Sequence, residues 1–404
     1  MWNVWVITAS LLLLGAIDVT SSYNVWKLAR ANGNFAFCLY KQITKDDSAT
    51  GKKNIFFSPF SISTALAMAY AGARGSTATE MLKVLRFGPL QSKLHETFHA
   101  TLLSMNKGQG DYYNLTVADA MFVHKHFPTI KEFRKLIAVN YMAGIKELDF
   151  SGDPTGTAKF INKWISDWTE EKIKDVVTPD MIKMSVIALV NTIYFRGLWT
   201  LPFNPDATTV AKFDVSPGYS TKARMMVQTA RFRYGLNRRL RCQILELPYE
   251  GDRLAMYILL PTDRYGLAEL EKKLTFNTVT QALARLWHRR MSVAIPKIKM
   301  TVLAKGIPKK LENMGMKKLF TRSADFTGIS HVRPLFVSDV IHKAFVDIDE
   351  VGTEAAAATV VLFARSLPQS IHKDFTVDHP YLFLIRDSIT GSILFLGRVV
   401  LPES

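Results

Sequence analysis

Cysteine is almost missing from this chain: Cys38 and Cys242 are the only two in 404 residues. A disulfide framework of the kind that staples small secreted domains is therefore excluded. One bridge is the most the chain could form, and two buried free thiols are expected instead, because a core of this size needs no staple. Pro/Gly/Ser-rich linkers and composition breaks are also lacking, so one large domain is expected despite the length. No phosphate-binding glycine pattern occurs, and Gly108-Gln109-Gly110 belongs to a loop. Nor is there a G-x-S-x-G elbow, which leaves P-loop, dinucleotide and α/β-hydrolase chemistry without a motif. After the first twenty residues no apolar run reaches spanning length, so no membrane span is expected. Acidic residues are scarce relative to basic ones, 35 against 51, for a net charge of +16. Such a balance suits an anionic partner, although no aromatic-interleaved motif points to nucleic acid.

What is present is an ample core: 48% of residues are apolar and 11% aromatic. Residues 1–22 have an apolar centre that ends in Thr20, Ser21 and Ser22, and they read as a secretory signal peptide, leaving 23–404 as the folded unit in an extracellular setting. Asn114-Leu115-Thr116 is the one N-glycosylation sequon with a permitted middle residue, at an expected loop-to-strand edge. Helical periodicity marks 26–42, 61–71, 78–85, 94–105, 130–140 and 157–173, with Ser58-Pro59 and Asp153-Pro154 as start signals. The second half is strand-like at 185–195, 242–247, 254–260, 291–298, 340–348, 381–385 and 392–400. The class is α+β, with large sheets and helices packed around them.

Two segments invite a chemical reading. His95-Glu96-Thr97-Phe98-His99 is a literal H-E-x-x-H on a helical stretch, the zinc-protease pattern. It lacks a third ligand, since no Gly-x-x-His follows and the next acidic residue is Asp111. The second segment is Glu350, Val351, Gly352, Thr353, Glu354, Ala355, Ala356, Ala357, Ala358, Thr359, followed by β-branched residues and Arg365-Ser366. Four alanines alone favour helix. The alternating small residues Thr353, Ala355, Ala357 and Thr359, however, would let one face slide between two strands without displacing core side chains. Arg365 beside a small serine has the form of a trypsin-type cleavage site.

With these residues the chain resembles the serpins, the family of suicide protease inhibitors and their non-inhibitory relatives. The resemblance rests also on residues 54–63 (NIFFSPFSIS), 191–199 (NTIYFRGLW), 324–329 (ADFTGI), 342–346 (HKAFV) and 378–383 (DHPYLF), in the family's order. The wording of 378–387 is most similar to arthropod members. The resemblance implies three β-sheets surrounded by eight or nine helices and an exposed reactive-centre loop near 350–370. It implies a protease inhibitor, not an enzyme, acting as a monomer without a cofactor. A trypsin-like serine protease would cleave after Arg365, and the loop would insert into the central sheet and trap the acyl-enzyme. Counting from Gly352 at the usual spacing puts the scissile bond after Ser366. Arginine fills a deep acidic pocket and serine does not, so Arg365-Ser366 is expected. A carrier or binding protein of the same family is the alternative, and a zinc protease using His95 and His99 a remote one.

Further roles follow from the resemblance. Ser58, Ser61, Asn191 and His342 match a hydrogen-bonded cluster beneath the strands that part, and Trp199, Lys297 and Glu350 match the site where the loop first enters, with Lys297 and Glu350 expected to pair. Arg238, Arg239 and Arg241 occupy an expected strand-to-strand turn, while Arg285, His288, Arg289 and Arg290 end an expected helix. Several serpins bind heparin-like polyanions through such arginines, and here the choice between an accelerating polyanion and mere solubility stays open.

Overall fold

The structure is a computed structural model that describes residues 19–46, 53–107, 113–353 and 375–402. Ten α-helices lie among them, the shortest being Pro179–Ile182 and Leu267–Lys273. That exceeds the eight or nine expected. The two start signals act as anticipated: Ser58 caps Pro59–Gly72 by accepting from the Ser61 amide, and Asp153 caps Pro154–Trp168 by accepting from Gly156. The second helix stops short of residue 173 because Glu170 and Glu171 turn left-handed, with φ of 48° and 61°.

Six strands form one sheet in the order Ile298–Ala304, Val337–Ile348, Gly352–Thr353, Ile187–Leu198, Tyr113–His124, Gly144–Leu148. Ile187–Leu198 is buried along nearly its whole length, as its mostly apolar composition suits a strand covered on both faces. Pro59–Gly72 runs beneath it, buried at almost every position. The other nine strands form a second connected sheet. Its hinge is the 19-residue strand Tyr219–Asn237, which pairs with Trp287–Pro296 over residues 225–234 and with Cys242–Pro248 over 233–237. The three sheets expected from the resemblance are thus present as two hydrogen-bonded networks, because this one strand joins two of them.

The expected helix ending at Arg285 to Arg290 is corrected. The helix is Phe276–Leu283, and His288, Arg289 and Arg290 lie at the start of the strand Trp287–Pro296. Cross-strand pairing with Tyr219–Asn237 outweighs whatever helical preference the basic run has.

Candidate functional site

The central feature of the six-stranded sheet is a seam between two long parallel strands. Ile187–Leu198 and Val337–Ile348 pair from Val337 opposite Ile187 to Phe345 opposite Tyr194. Beyond that point they separate, and the chain after Ile348 folds back so that Gly352–Thr353 sits between them. Thr353 lies opposite Ile348 on one side and Gly197 on the other, antiparallel to both strands.

The turn that seats these two residues is built by Asp349. Its Oδ1 accepts from the amides of Val351 at 2.9 Å and Gly352 at 3.1 Å, and its own amide donates to the Gly352 carbonyl at 2.9 Å. Gly352 is required by close approach: a Cβ there would stand 2.0 Å from the Gly197 carbonyl oxygen. Trp199 clamps the turn from outside, donating its amide to the Val351 carbonyl at 2.9 Å and its indole N–H to the Asp349 carbonyl at 3.0 Å. Its ring stacks on Tyr249 at 4.5 Å between centroids, and the Tyr249 hydroxyl lies 2.7 Å from Thr353 Oγ1. Glu350 accepts from Lys297 Nζ and from Thr208 Oγ1, both at 2.6 Å. Burial alone would raise its carboxyl, but these two bonds outweigh it and hold the group below its ordinary range. The expected Lys297–Glu350 pair therefore exists, on a carboxylate that is itself buried.

Lower in the seam, inside its paired stretch, the interactions are neutral. Asp119, Asn191 and His342 occupy one row across three adjacent strands, Asp119 opposite Asn191 and Asn191 opposite His342. His342 Nε2 accepts the Ser58 amide at 2.9 Å, so Nδ1 carries the proton and donates to Asn191 Oδ1. Ser61 Oγ lies 3.1 Å from Asp119 Oδ1 and 3.3 Å from Asn191 Oδ1. Full burial pushes His342 down to about 3 and Asp119 up to about 8, so neither carries charge at neutral pH. The four cluster residues expected from the resemblance are brought together. Asp119 is an addition that the sequence reading missed.

The serpin family model, serine protease inhibitor, matches residues 30–402. The chain is a serpin. It is 36% identical to human leukocyte elastase inhibitor, a match covering 93% of this chain and 100% of that protein. It is also 36% identical to an uncharacterized serpin-like protein of the archaeon Thermococcus kodakarensis, over 95% of this chain and 89% of that one. Among solved structures, Serpin48 of the insect Tenebrio molitor, described as highly specific, superposes with a TM-score of 0.82 at 31% identity, covering 96% of this chain and 100% of its own. Human thyroxine-binding globulin in complex with thyroxine superposes at 0.85 and 28% identity, over 94% and 100%. As a serpin the protein belongs to a family of protease inhibitors, not of enzymes.

Other expected residues fall in different places. Arg365, Ser366, Glu354, Ala355, Ala356, Ala357, Ala358 and Thr359 lie outside the described residues. His95 and His99 share a helix, but His95 Nδ1 is 2.6 Å from the Tyr141 hydroxyl, and among the described residues no cluster of three metal-ligating side chains occurs. Asn114 begins a strand, and its Nδ2 donates to Glu170 at 3.2 Å. Cys38 and Cys242 are both free; Cys242 is buried, which pushes its thiol up to about 12, while Cys38 is only half-buried. Of the six arginines, Arg238, Arg239 and Arg285 line one cleft of about 470 Å³ with Thr278 and Gln281 of the helix Phe276–Leu283. Arg241 is diverted to Asp263 at 2.7 Å.

Proposed function

We propose that this serpin is a secreted suicide-substrate inhibitor of trypsin-like serine proteases, cleaved after Arg365. The observation that carries the reading is the seated pair Gly352–Thr353. Two residues of a strand antiparallel to both neighbours already occupy the head of the seam, and the chain continues from them into Glu354 and the small residues 355–359. Continuing that strand downward would replace the Val337–Ile348 to Ile187–Leu198 pairing with two new ladders and break the His342 to Asn191 bond. The gain is a full set of antiparallel hydrogen bonds along the inserted segment. The protease, held as an acyl-enzyme on Arg365, would be carried along before hydrolysis completes.

Secretion, a glycan on Asn114 and a monomeric state belong to the same proposal. So does a heparin-like polyanion held by Arg238, Arg239 and Arg285, whose shared cleft is the supporting feature. The test is to mix the purified protein with trypsin. An SDS-resistant complex should form with wild type and fail with Arg365→Ala, whose fold should be unchanged. Cleavage elsewhere without a stable complex would leave the carrier reading.

A further inference from the structure

The strand Trp287–Pro296 links the basic surface to the reactive loop. The chain returns from the loop at Phe375, which pairs with Val293 in parallel, and Phe375 packs edge-on against Tyr234 at 6.3 Å. The Arg289 guanidinium also lies over the Tyr234 ring, 5.8 Å from its centroid. The point where the loop rejoins the sheet is thus stacked directly into the basic strand. Val293 is four positions along the strand from Arg289, about 13 Å.

This strand end is built unlike a structural edge. Trp287, His288, Arg289 and Arg290 are all exposed, so both faces of the strand are open to solvent there. Arg290 stands directly opposite Arg231, also exposed, a like-charge cross-strand pair that costs stability. The next pair on the same face is handled differently: Arg233, opposite His288, is neutralised by Glu246 at 2.7 Å. Among the described residues no carboxylate pairs with Arg231, Arg289 or Arg290. Exposed tryptophan beside unpaired arginines is the composition of an interface centre.

We infer that Arg231, Trp287, Arg289 and Arg290 form a docking surface for an acidic face of the target protease, outside its catalytic cleft. This rests on the proposed cleavage at Arg365. That residue is ten positions before Phe375 and hence within about 35 Å of it along any path. A protease domain of about 230 residues is roughly 45 Å across, wide enough to reach from one point to the other. The surface supplies charge complementarity that speeds the encounter without changing which bond is cut.

The test compares anionic and cationic trypsin, which share arginine specificity and differ in surface charge. Complex formation is followed with the active enzymes, and non-covalent binding with their catalytic Ser→Ala forms. Wild type should associate with anionic trypsin about tenfold faster than with the cationic form at low salt, and the gap should close at high salt. Arg231→Ala with Arg290→Ala should remove most of the preference and leave stoichiometry of inhibition unchanged. Charge reversal, Arg231→Glu with Arg290→Glu, should invert it. An equal loss on both trypsins, or variants that change heparin elution but neither association rate, would overturn the docking surface and leave these arginines to a polysaccharide. Failure of the Arg365 reading shows separately, as no SDS-resistant complex, while charge-selective binding of the inactive trypsins would still uphold the surface.

Discussion

The head of the seam and the paired stretch below it, its foot, solve one problem in opposite ways. At the head, a buried ion pair, an indole clamp and two seated residues hold the strands apart. At the foot, Ser58, Ser61, Asp119, Asn191 and His342 hold them together with hydrogen bonds between uncharged groups. The difference is instructive because the proposed insertion would require the foot to open while the head stays open. A neutral row can exchange one partner for another at a cost of about 1 kcal/mol per bond, whereas the head would have to give up its turn, its indole clamp and its ion pair together. The head is thus a fixed wedge, and the foot is a latch.

The largest effect that would break this comparison is expected from Thr353→Arg. Thr353 is fully buried against the Tyr249 hydroxyl, and a guanidinium there would carry an unpaired charge into the sheet. Cleavage should remain fast while stoichiometry of inhibition rises several-fold, as read from the ratio of complex to cleaved serpin on a denaturing gel.

Next comes His342→Ala, which strands the Ser58 amide and the Asn191 carbonyl in a dry site and should cost about 3 kcal/mol by denaturant unfolding. Its acid dependence has a definite sign. The folded imidazole titrates near 3 and the unfolded one near 6.5, so the unfolded state takes up the proton first. The wild-type stability from this group is complete above about pH 6.5 and drains away toward pH 3. The variant should lack that component.

Asp119→Asn sharpens the latch from the other direction. The folded carboxyl titrates near 8 and an unfolded one near 3.9, so the native state keeps its proton while the unfolded state loses it. Stability from this group is complete below about pH 4 and falls as pH rises toward 8. The variant should match wild type at pH 4 and exceed it by at least about 2 kcal/mol at pH 8.

The smallest effect is expected at the head. Glu350→Gln keeps the shape and the Thr208 contact but removes the charge facing Lys297, whose side chain is 26% exposed and can turn to water, so the cost should be on the order of 1 kcal/mol. A loss as large as that of His342→Ala would mean that wedge and latch are not distinct.

Much of this seam was legible beforehand because its parts sit inside signature runs: Ser58 and Ser61 in NIFFSPFSIS, Asn191 and Trp199 in NTIYFRGLW, His342 in HKAFV. What escaped has a physical cause. Asp119 belongs to the strand Tyr113–His124, of which only the starting edge was expected, and a lone aspartate there carries no sign that its strand neighbours bury it. The strand Tyr219–Asn237 escaped because arginines, threonines and lysine occupy its exposed positions and hide its alternation; only the partner strands give it a register. Asp349 and Tyr249 are tied to the head by contacts between residues far apart in the chain or by the geometry of a turn, which local patterns do not encode.

The central claim is that the loop completes the strand begun by Gly352–Thr353. It is tested most directly by nicking the loop with a non-target protease and comparing thermal unfolding of the intact and nicked chains. An inserted strand adds ladder hydrogen bonds and buried area, so the nicked protein should melt far above the intact one. Equal melting temperatures would contradict the account, because the seam would then have closed on its two seated residues and admitted no more.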